Sequence, residues 1–314
     1  MKILITGVHG FVGGNLVTAL KNDHIIYGLD IVSPIKDGIR FTFSWDFLDK
    51  PGEIPEVDAI IHLAGKAHDT KNQADAETYF KVNRDLTIKI FDYFCAHPKC
   101  KKFIFFSTAK AAADKVDGVL TEDVVPAPVG PYGESKIAAE KYILSHTGST
   151  ENTDKKVYIF RPCMIHGPGN KGNLNLLYNV VRKGIPWPLG AFENRRTFTS
   201  VENICFAVNG VITKDVPSGI YNMGDDEALS TNELIEEICK SLGKKAHIWH
   251  LPKDMMNGVA KVGGWLHLPL NPERLRKLTE SYVSSNAKIK KALGIEKMPV
   301  DARTGLKVTL QSFK

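Results

Sequence analysis

The sequence predicts an α/β chain: a doubly wound, parallel sheet with a smaller, mixed α/β C-terminal lobe. Three observations carry this prediction. Apolar runs of strand length alternate with helical patterns through the first half. Those runs are apolar on both sides, as expected of strands in a sheet covered on both faces. Beyond about residue 165, "HGPGNKGN" and "KGIPWPLGAFENRR" bring Gly, Pro and Asn, the signal of loops with short helices between them.

In chain order, the strands are "KILIT", "HIIYGLD", "VDAIIHLAG", "KKFIFFSTA" and "KKVYIFRPCMI". Between them lie the helical patterns "FVGGNLVTALK", a long helix over about 74–97 ("AETYFKVNRDLTIKIFDYFCAH") and "GESKIAAEKYILSH". Right-handed crossovers then give the doubly wound arrangement. The C-terminal third mixes short strands ("GIYNMG", "AHIWHLP") with the helices "STNELIEEICKSLG" and "SSNAKIKKALG". Ser230 followed by Glu233 is a capping-box pattern at the start of the first of these. The boundaries that follow are 1–165 with a return segment at about 197–214 for the sheet domain, and about 166–196 and 215–314 for the lobe.

The chain has 314 residues, 43% hydrophobic and 24% charged, enough for one large domain or two sharing an interface, with no need of disulfides or a structural metal. "MKILITGVHG" does not read as a signal peptide, and no apolar run is long enough to cross a bilayer. Five scattered cysteines complete no zinc pattern and read as thiols in a reducing cytoplasm; no metal is expected. The net charge of +6 sits partly in "HPKCKK" and "AKIKKALG". It is either a solvated face or an attraction for an anionic small molecule. Basic residues without aromatic interleaving argue against nucleic acid.

"LITGVHGFVGGNL" lies where the first strand turns into the first helix, with Gly7, Gly10 and Gly13 three apart. Gly7 permits the tight turn, Gly10 lets backbone approach a pyrophosphate, and Gly13 lets helix and strand pack closely. The helix N-terminus offers free N–H groups to the phosphates. Asp30 ends the second strand, 23 residues after Gly7. A carboxylate there accepts from both ribose hydroxyls and repels a 2′-phosphate, which favours NAD over NADP. Asp46 in "SWDFL" is placed to reach the adenine amino group.

These residues, with "DAIIHLAG", "FFSTA", "PYGESK", "RPCMIHGPG" and "RRTFTSVEN", resemble the extended short-chain dehydrogenase/reductases, specifically the NAD-dependent epimerase/dehydratase branch. The match runs from residue 2 to about 204 and loosens beyond 230. Within the branch the chain is most similar to the UDP-glucose 4-epimerase-like subgroup, which includes reductases of UDP-4-keto-6-deoxy-N-acetylhexosamines in bacterial surface polysaccharide pathways. "GNKGNLNLLYNVVRKGIPWPLGAFENRRTF" and Lys110 carry that finer likeness.

The resemblance implies an NAD-binding Rossmann domain and a nucleotide-sugar-binding lobe. It assigns Tyr132 and Lys136 as the catalytic pair and Thr108 as the hydroxyl bonded to the reacting oxygen, with Ser107 adjacent. Cofactor contacts fall on Gly7, Gly10, Phe11, Val12, Asp30, Asp46, Phe47, Leu63, Ala64 and Gly65, besides Tyr132 and Lys136. Substrate contacts fall on Thr108, Asn173 and Arg196, with Arg195 beside it and Arg274 or Arg276 as a second diphosphate contact. His68 and His166 lie near the expected cleft, where a lone histidine is more often structural.

A free tyrosine has a pKa of about 10, and a neighbouring ammonium and a positive nicotinamide ring both favour its phenolate. Lys136 lies one helical turn beyond Tyr132, on the same face. The expected reaction is hydride transfer at carbon 4 of a UDP-sugar, once in a reductase or twice in an epimerase. Dehydration is disfavoured because Ala109 and Lys110, not an Asp-Glu pair, follow Thr108. "KAAAD" replaces the Val-Tyr-Gly of the usual epimerase pattern. Two other readings are a catalytically silent redox-sensing protein and a reductase of a non-nucleotide carbonyl. The family commonly pairs helices such as 74–97 and 132–146 in a homodimer.

Overall fold

The computed structural model describes residues 1–50, 54–67, 75–147, 154–170, 172–266 and 270–313. Its strands are β1 (Lys2–Thr6), β2 (Ile25–Leu29), β3 (Ile39–Phe43), β4 (Ala59–His62), β5 (Lys102–Phe106), β6 (Val119–Leu120), β7 (Lys156–Pro162), β8 (Met164–His166), β9 (Arg196–Ser200), β10 (Gly219–Met223), β11 (Ala228–Leu229) and β12 (Val283–Ser284). Its helices are α1 (Phe11–Leu20), α2 (Ala76–Phe80), α3 (Leu86–Ala96), α4 (Ala109–Ala112), α5 (Pro131–His146), α6 (Asn173–Arg182), α7 (Val201–Thr213), α8 (Thr231–Ser241), α9 (Lys253–Trp265), α10 (Pro272–Thr279), α11 (Ala287–Leu293) and α12 (Ala302–Gln311).

Seven parallel strands form the main sheet in the order β10-β7-β5-β4-β1-β2-β3. After β3 the chain crosses back to the other side of β1. The strand order therefore reverses between β1 and β4, and a crevice opens at their carboxyl ends. Strand alternation explains the double-sided apolar runs. Ile3, Ile5, Ile61, Ile104 and Phe106 face one core, shared with α1, α7 and α11. Leu4, Ile60, Phe103 and Phe105 face the other, covered by α3 and α5. The lobe has its own core, with Leu174, Tyr178, Phe198, Leu234, Ile238 and Leu306, and a small sheet ordered β11-β9-β8. The expected capping box opens α8: Glu233 N–H donates to Ser230 Oγ, and Ser230 N–H donates to the Glu233 carboxylate.

Four expectations are corrected. The strand β3 carries Arg40 and Thr42 on an exposed edge, so it shows no apolar run and goes unread. Segment 215–314, expected in the lobe, supplies β10, which pairs with β7 in the main sheet. From the same segment, α11 buries Ile289 and Leu293 against that sheet. The helix read over 74–97 is interrupted by a π-helical turn at Lys81–Asp85, between α2 and α3. "AHIWHLP" forms isolated bridges, Trp187 with Ile248 and Leu189 with His250, and not a strand. Among the described residues no helix is long and apolar enough to cross a membrane.

Candidate active site

The glycine turn adopts the geometry its spacing requires. Gly7 has φ +67°, a left-handed conformation that side chains disfavour, and its N–H donates to Leu29 O at 2.8 Å. A Cβ on Gly13 would stand 2.5 Å from Gly7 O and 2.7 Å from Val8 O. The helix α1 starts at Gly10 without a side-chain cap, so its first N–H groups remain to receive phosphate. This cradle fits a dinucleotide. Gly13→Ala is expected to cost about 1–3 kcal/mol of stability and to weaken NADH binding, because both clashing atoms are backbone and only the turn can move. Thermal melting and cofactor fluorescence check both effects.

A second loop, residues 63–67, is fixed by a buried polar relay. Thr6 Oγ1 accepts from the N–H groups of Leu63 (3.2 Å) and Ala64 (3.1 Å). The same hydroxyl meets His62 Nδ1 at 2.7 Å, and His62 Nε2 meets Thr87 Oγ1 at 2.9 Å. The Thr87 hydroxyl gives its proton to Asn83 O, so it accepts from His62 Nε2–H. Burial and the Lys136 charge hold His62 well below the ordinary histidine pKa, which keeps it neutral.

Asn83, fully buried in the π-helical turn, accepts from Lys66 N–H at 2.7 Å and donates to Lys66 O and to Ser135 Oγ. Ser135 Oγ in turn donates to Tyr132 O. One amide thus joins the loop to the first turn of α5. Sequence reasoning missed Asn83; a π turn has no period that a pattern search detects.

"PYGESK" forms the first turns of α5, with Pro131 at the first helical position. Gly133 is essential to its placement: a Cβ there would lie 2.7 Å from Lys110 O, so α5 can press against α4. The α4 N-cap is Thr108, whose Oγ1 accepts from Lys110 N–H. The adjacent Ser107 hydroxyl is committed to the buried Glu140 carboxylate. Thr108 is therefore the hydroxyl available beside Tyr132.

Lys136 is buried, donates to Phe106 O at 2.9 Å and lies over the Phe105 ring. Burial pushes its ammonium down to about 8, with Glu140 opposing. The phenol departs from expectation. Among the protein's own groups burial dominates and raises the Tyr132 pKa, the Thr108 hydroxyl lowers it, and Tyr79 raises it further. Positive charge from a nicotinamide ring is what remains to bring it down.

Tyr132, Lys136 and Thr108 share a cavity of about 1190 Å³ with Gly7, Gly10, Phe11, Val12, Leu63 and Gly65. Asn173 and Arg196 lie on its lobe side. The Arg196 guanidinium donates to the carbonyls of Glu280 and Lys277, and burial lowers its pKa. Asn15 donates to Pro168 O, and Phe11 lies beneath Gly167 and Gly169, so the "HGPG" loop closes over α1.

Other expected residues are not brought to this cavity. Asp30 flanks it, its carboxylate accepting from His9 N–H (3.0 Å) and Ile31 N–H (2.7 Å). Ala64 contributes its N–H to Thr6 and is not a wall. Asp46 and Phe47 sit on a 3-10 turn beyond β3, with Phe47 edge-on to Phe43. Arg195 bonds Ala228 O and Glu233, and Arg276 pairs with Asp114 and Glu280. His166 is buried between Thr309 and Asp225, as a structural histidine is; His68 lies outside the described residues.

A doubly wound sheet with a glycine turn at its first crossover, and a Tyr/Lys pair facing the same cavity, defines a nicotinamide-dependent hydride-transfer enzyme. Residues 3–224 match the model of the NAD dependent epimerase/dehydratase family, and the chain belongs to that family. It is 31% identical over 266 residues to UDP-glucose 4-epimerase of Vibrio cholerae, covering 80% of this chain and 78% of the relative. It is 27% identical over 300 residues to N-acetyl-alpha-D-glucosaminyl-diphospho-ditrans,octacis-undecaprenol 4-epimerase of Escherichia coli O157:H7, covering 92% and 85%. Among solved structures, UDP-glucuronic acid 4-epimerase from Bacillus cereus in complex with NAD superposes with TM-score 0.76 at 21% identity, covering 100% of this chain and 98% of the other. NAD is the cofactor of the family, and the glycine turn of this chain has the geometry of a dinucleotide cradle.

Proposed function

We propose that this enzyme acts at carbon 4 of a UDP-linked hexose or N-acetylhexosamine, as a 4-ketoreductase or a 4-epimerase. Reduction of a UDP-4-keto-6-deoxy-N-acetylhexosamine is the preferred form. The observation that carries the reading is that Tyr132, Thr108 and Lys136 meet on one wall of a cavity bounded by the glycine turn and Arg196. Bound nicotinamide supplies the hydride donor or acceptor. Thr108 Oγ1 donates to the substrate oxygen while it is a carbonyl and accepts once it is a hydroxyl. Tyr132 gives that oxygen its proton as the carbon is reduced and takes it back in the reverse direction. Lys136 holds positive charge near the phenolate, and Arg196 presents its guanidinium to the diphosphate. Ala109 and Lys110 leave the positions after Thr108 without the acid pair a dehydration needs.

The test supplies UDP-4-keto-6-deoxy-N-acetylhexosamine with NADH, and UDP-glucose or UDP-galactose with NAD. One NADH consumed per keto sugar, without interconversion of the two hexoses, is expected. Interconversion without net NADH consumption assigns the epimerase instead. Cofactor binding with no turnover favours the redox-sensing reading, and no affinity for UDP favours a non-nucleotide carbonyl. The proposal places the enzyme in the cytoplasm as a homodimer that pairs through α3 and α5, in a surface-polysaccharide pathway. Only monomer in sedimentation at micromolar concentration would defeat the dimer.

A further inference from the structure

We propose that helix α9 docks this protein onto an anionic phospholipid surface, lying on the bilayer without crossing it. The helix carries two apolar stripes. Met256, Ala260 and Gly263 form the first and are buried. Met256 and Ala260 pack there with Leu189 and Leu275, and a Cβ on Gly264 would stand 3.2 Å from Pro272 Cδ, so α10 lies close. The second stripe has no such cover. Val259, Val262 and Leu266 follow Met255 by four, seven and eleven residues, which places all four on one side of the helix. They are between 46% and 54% exposed, and the adjacent Trp265 is 80% exposed. Trp249, on the bridged segment that leads into α9, is exposed as well. Single exposed apolar residues are ordinary, but a continuous stripe of them marks a contact surface.

The charges around the stripe identify what covers it. Residues 244–266 carry Lys244, Lys245, Lys253 and Lys261 against a single acid, Asp254. All four lysines are exposed, and among the described residues none pairs with a carboxylate. The neighbouring α10 adds little, since Lys277 and Arg276 already pair with Glu273, Glu280 and Asp114. A second copy of this chain on the stripe would bring two lysine sets together, and like charges oppose that contact. A layer of anionic headgroups is complementary to them. Lysine stems run along the apolar surface and set their ammonium groups among the phosphates, while the Met, Val, Leu and Trp side chains enter the acyl boundary. An indole ring suits that boundary, where its apolar body is covered and its N–H stays hydrated. Docking sets where the enzyme sits and is independent of the sugar it turns over.

Flotation of the whole protein with vesicles of phosphatidylglycerol in phosphatidylcholine, compared with phosphatidylcholine alone, tests this. Binding to the anionic vesicles is expected at low salt, and at least about tenfold weaker binding to the neutral ones. Val262→Ser with Leu266→Ser should weaken partitioning onto anionic vesicles by about tenfold or more, through loss of apolar area. Lys253→Gln with Lys261→Gln should weaken it by a similar factor and flatten its salt dependence. All four side chains are exposed, so melting temperature and NADH affinity should stay at their wild-type values. Three outcomes overturn the proposal. One is no binding to anionic vesicles at low salt. Another is binding that the serine variant leaves unchanged, which would assign adsorption to a different basic face. The third is a wild-type oligomer that the serine variant dissociates, without vesicle binding, which would give the stripe to a second copy.

Discussion

Tyr132→Phe is expected to lower kcat by about 10²- to 10⁴-fold while leaving NADH affinity within about twofold. The phenol oxygen lies beside Thr108 in the cavity, and removing it takes away the proton donor but not the ring that packs near Tyr79. Single-turnover NADH oxidation measures the first quantity and cofactor titration the second. A variant with unchanged turnover would remove the mechanism and leave the fold untouched. The same enzyme should show a pH limb set by Lys136. Its pKa is lowered to about 8, so the cation is present below that value and lost above it. Activity is therefore expected to fall as pH rises through about 8, because the wall that carries Tyr132 and Thr108 then loses the cation of Lys136.

The largest effect on stability is expected from Glu140→Leu. Glu140 and Arg161 form a bidentate pair with N–O distances of 2.5–3.1 Å and side-chain exposures of 0% and 2%. Ser107 also donates to this carboxylate, and among the described residues Arg161 Nη1 has no hydrogen-bond partner. Removing the carboxylate leaves a buried guanidinium with nothing to compensate it, at a cost of about 3–5 kcal/mol. It also frees Ser107 at the end of β5, next to Thr108. Replacing both partners, Glu140→Leu with Arg161→Met, is expected to recover most of the loss, since an apolar pair of similar volume no longer buries a charge. Urea unfolding of the two single variants and the double variant measures the coupling directly.

Much of the sheet was legible because burial on both faces writes an uninterrupted apolar run. The pattern failed where that condition fails. The edge strand β3 has solvent on one side and mixes Arg40 and Thr42 into its run. The other edge strand, β10, comes after α7 and begins beyond the return segment, where the composition had already turned to short strands and helices of the lobe. Asp46 and Phe47 lie on a 3-10 turn outside the cavity lining, a position set by the path of the chain after β3, which side-chain chemistry does not encode. Asn83 lies in a stretch that reads as an ordinary helix, where a polar residue is taken to face water. Its burial and its three hydrogen bonds depend on the extra residue of the π turn. The partition between Ser107 and Thr108 depended on Glu140, a residue thirty-three positions away.

The hook between Asn15 and Pro168 bears on how quickly this catalyst trades one dinucleotide for another. It joins the helix beneath the phosphates to a segment of the lobe through an amide and a carbonyl, neither of which carries charge. A latch of that type is indifferent to ionic strength and yields to heat. Cofactor exchange should then have a strongly temperature-dependent off-rate, while added salt acts mainly on the rate of arrival.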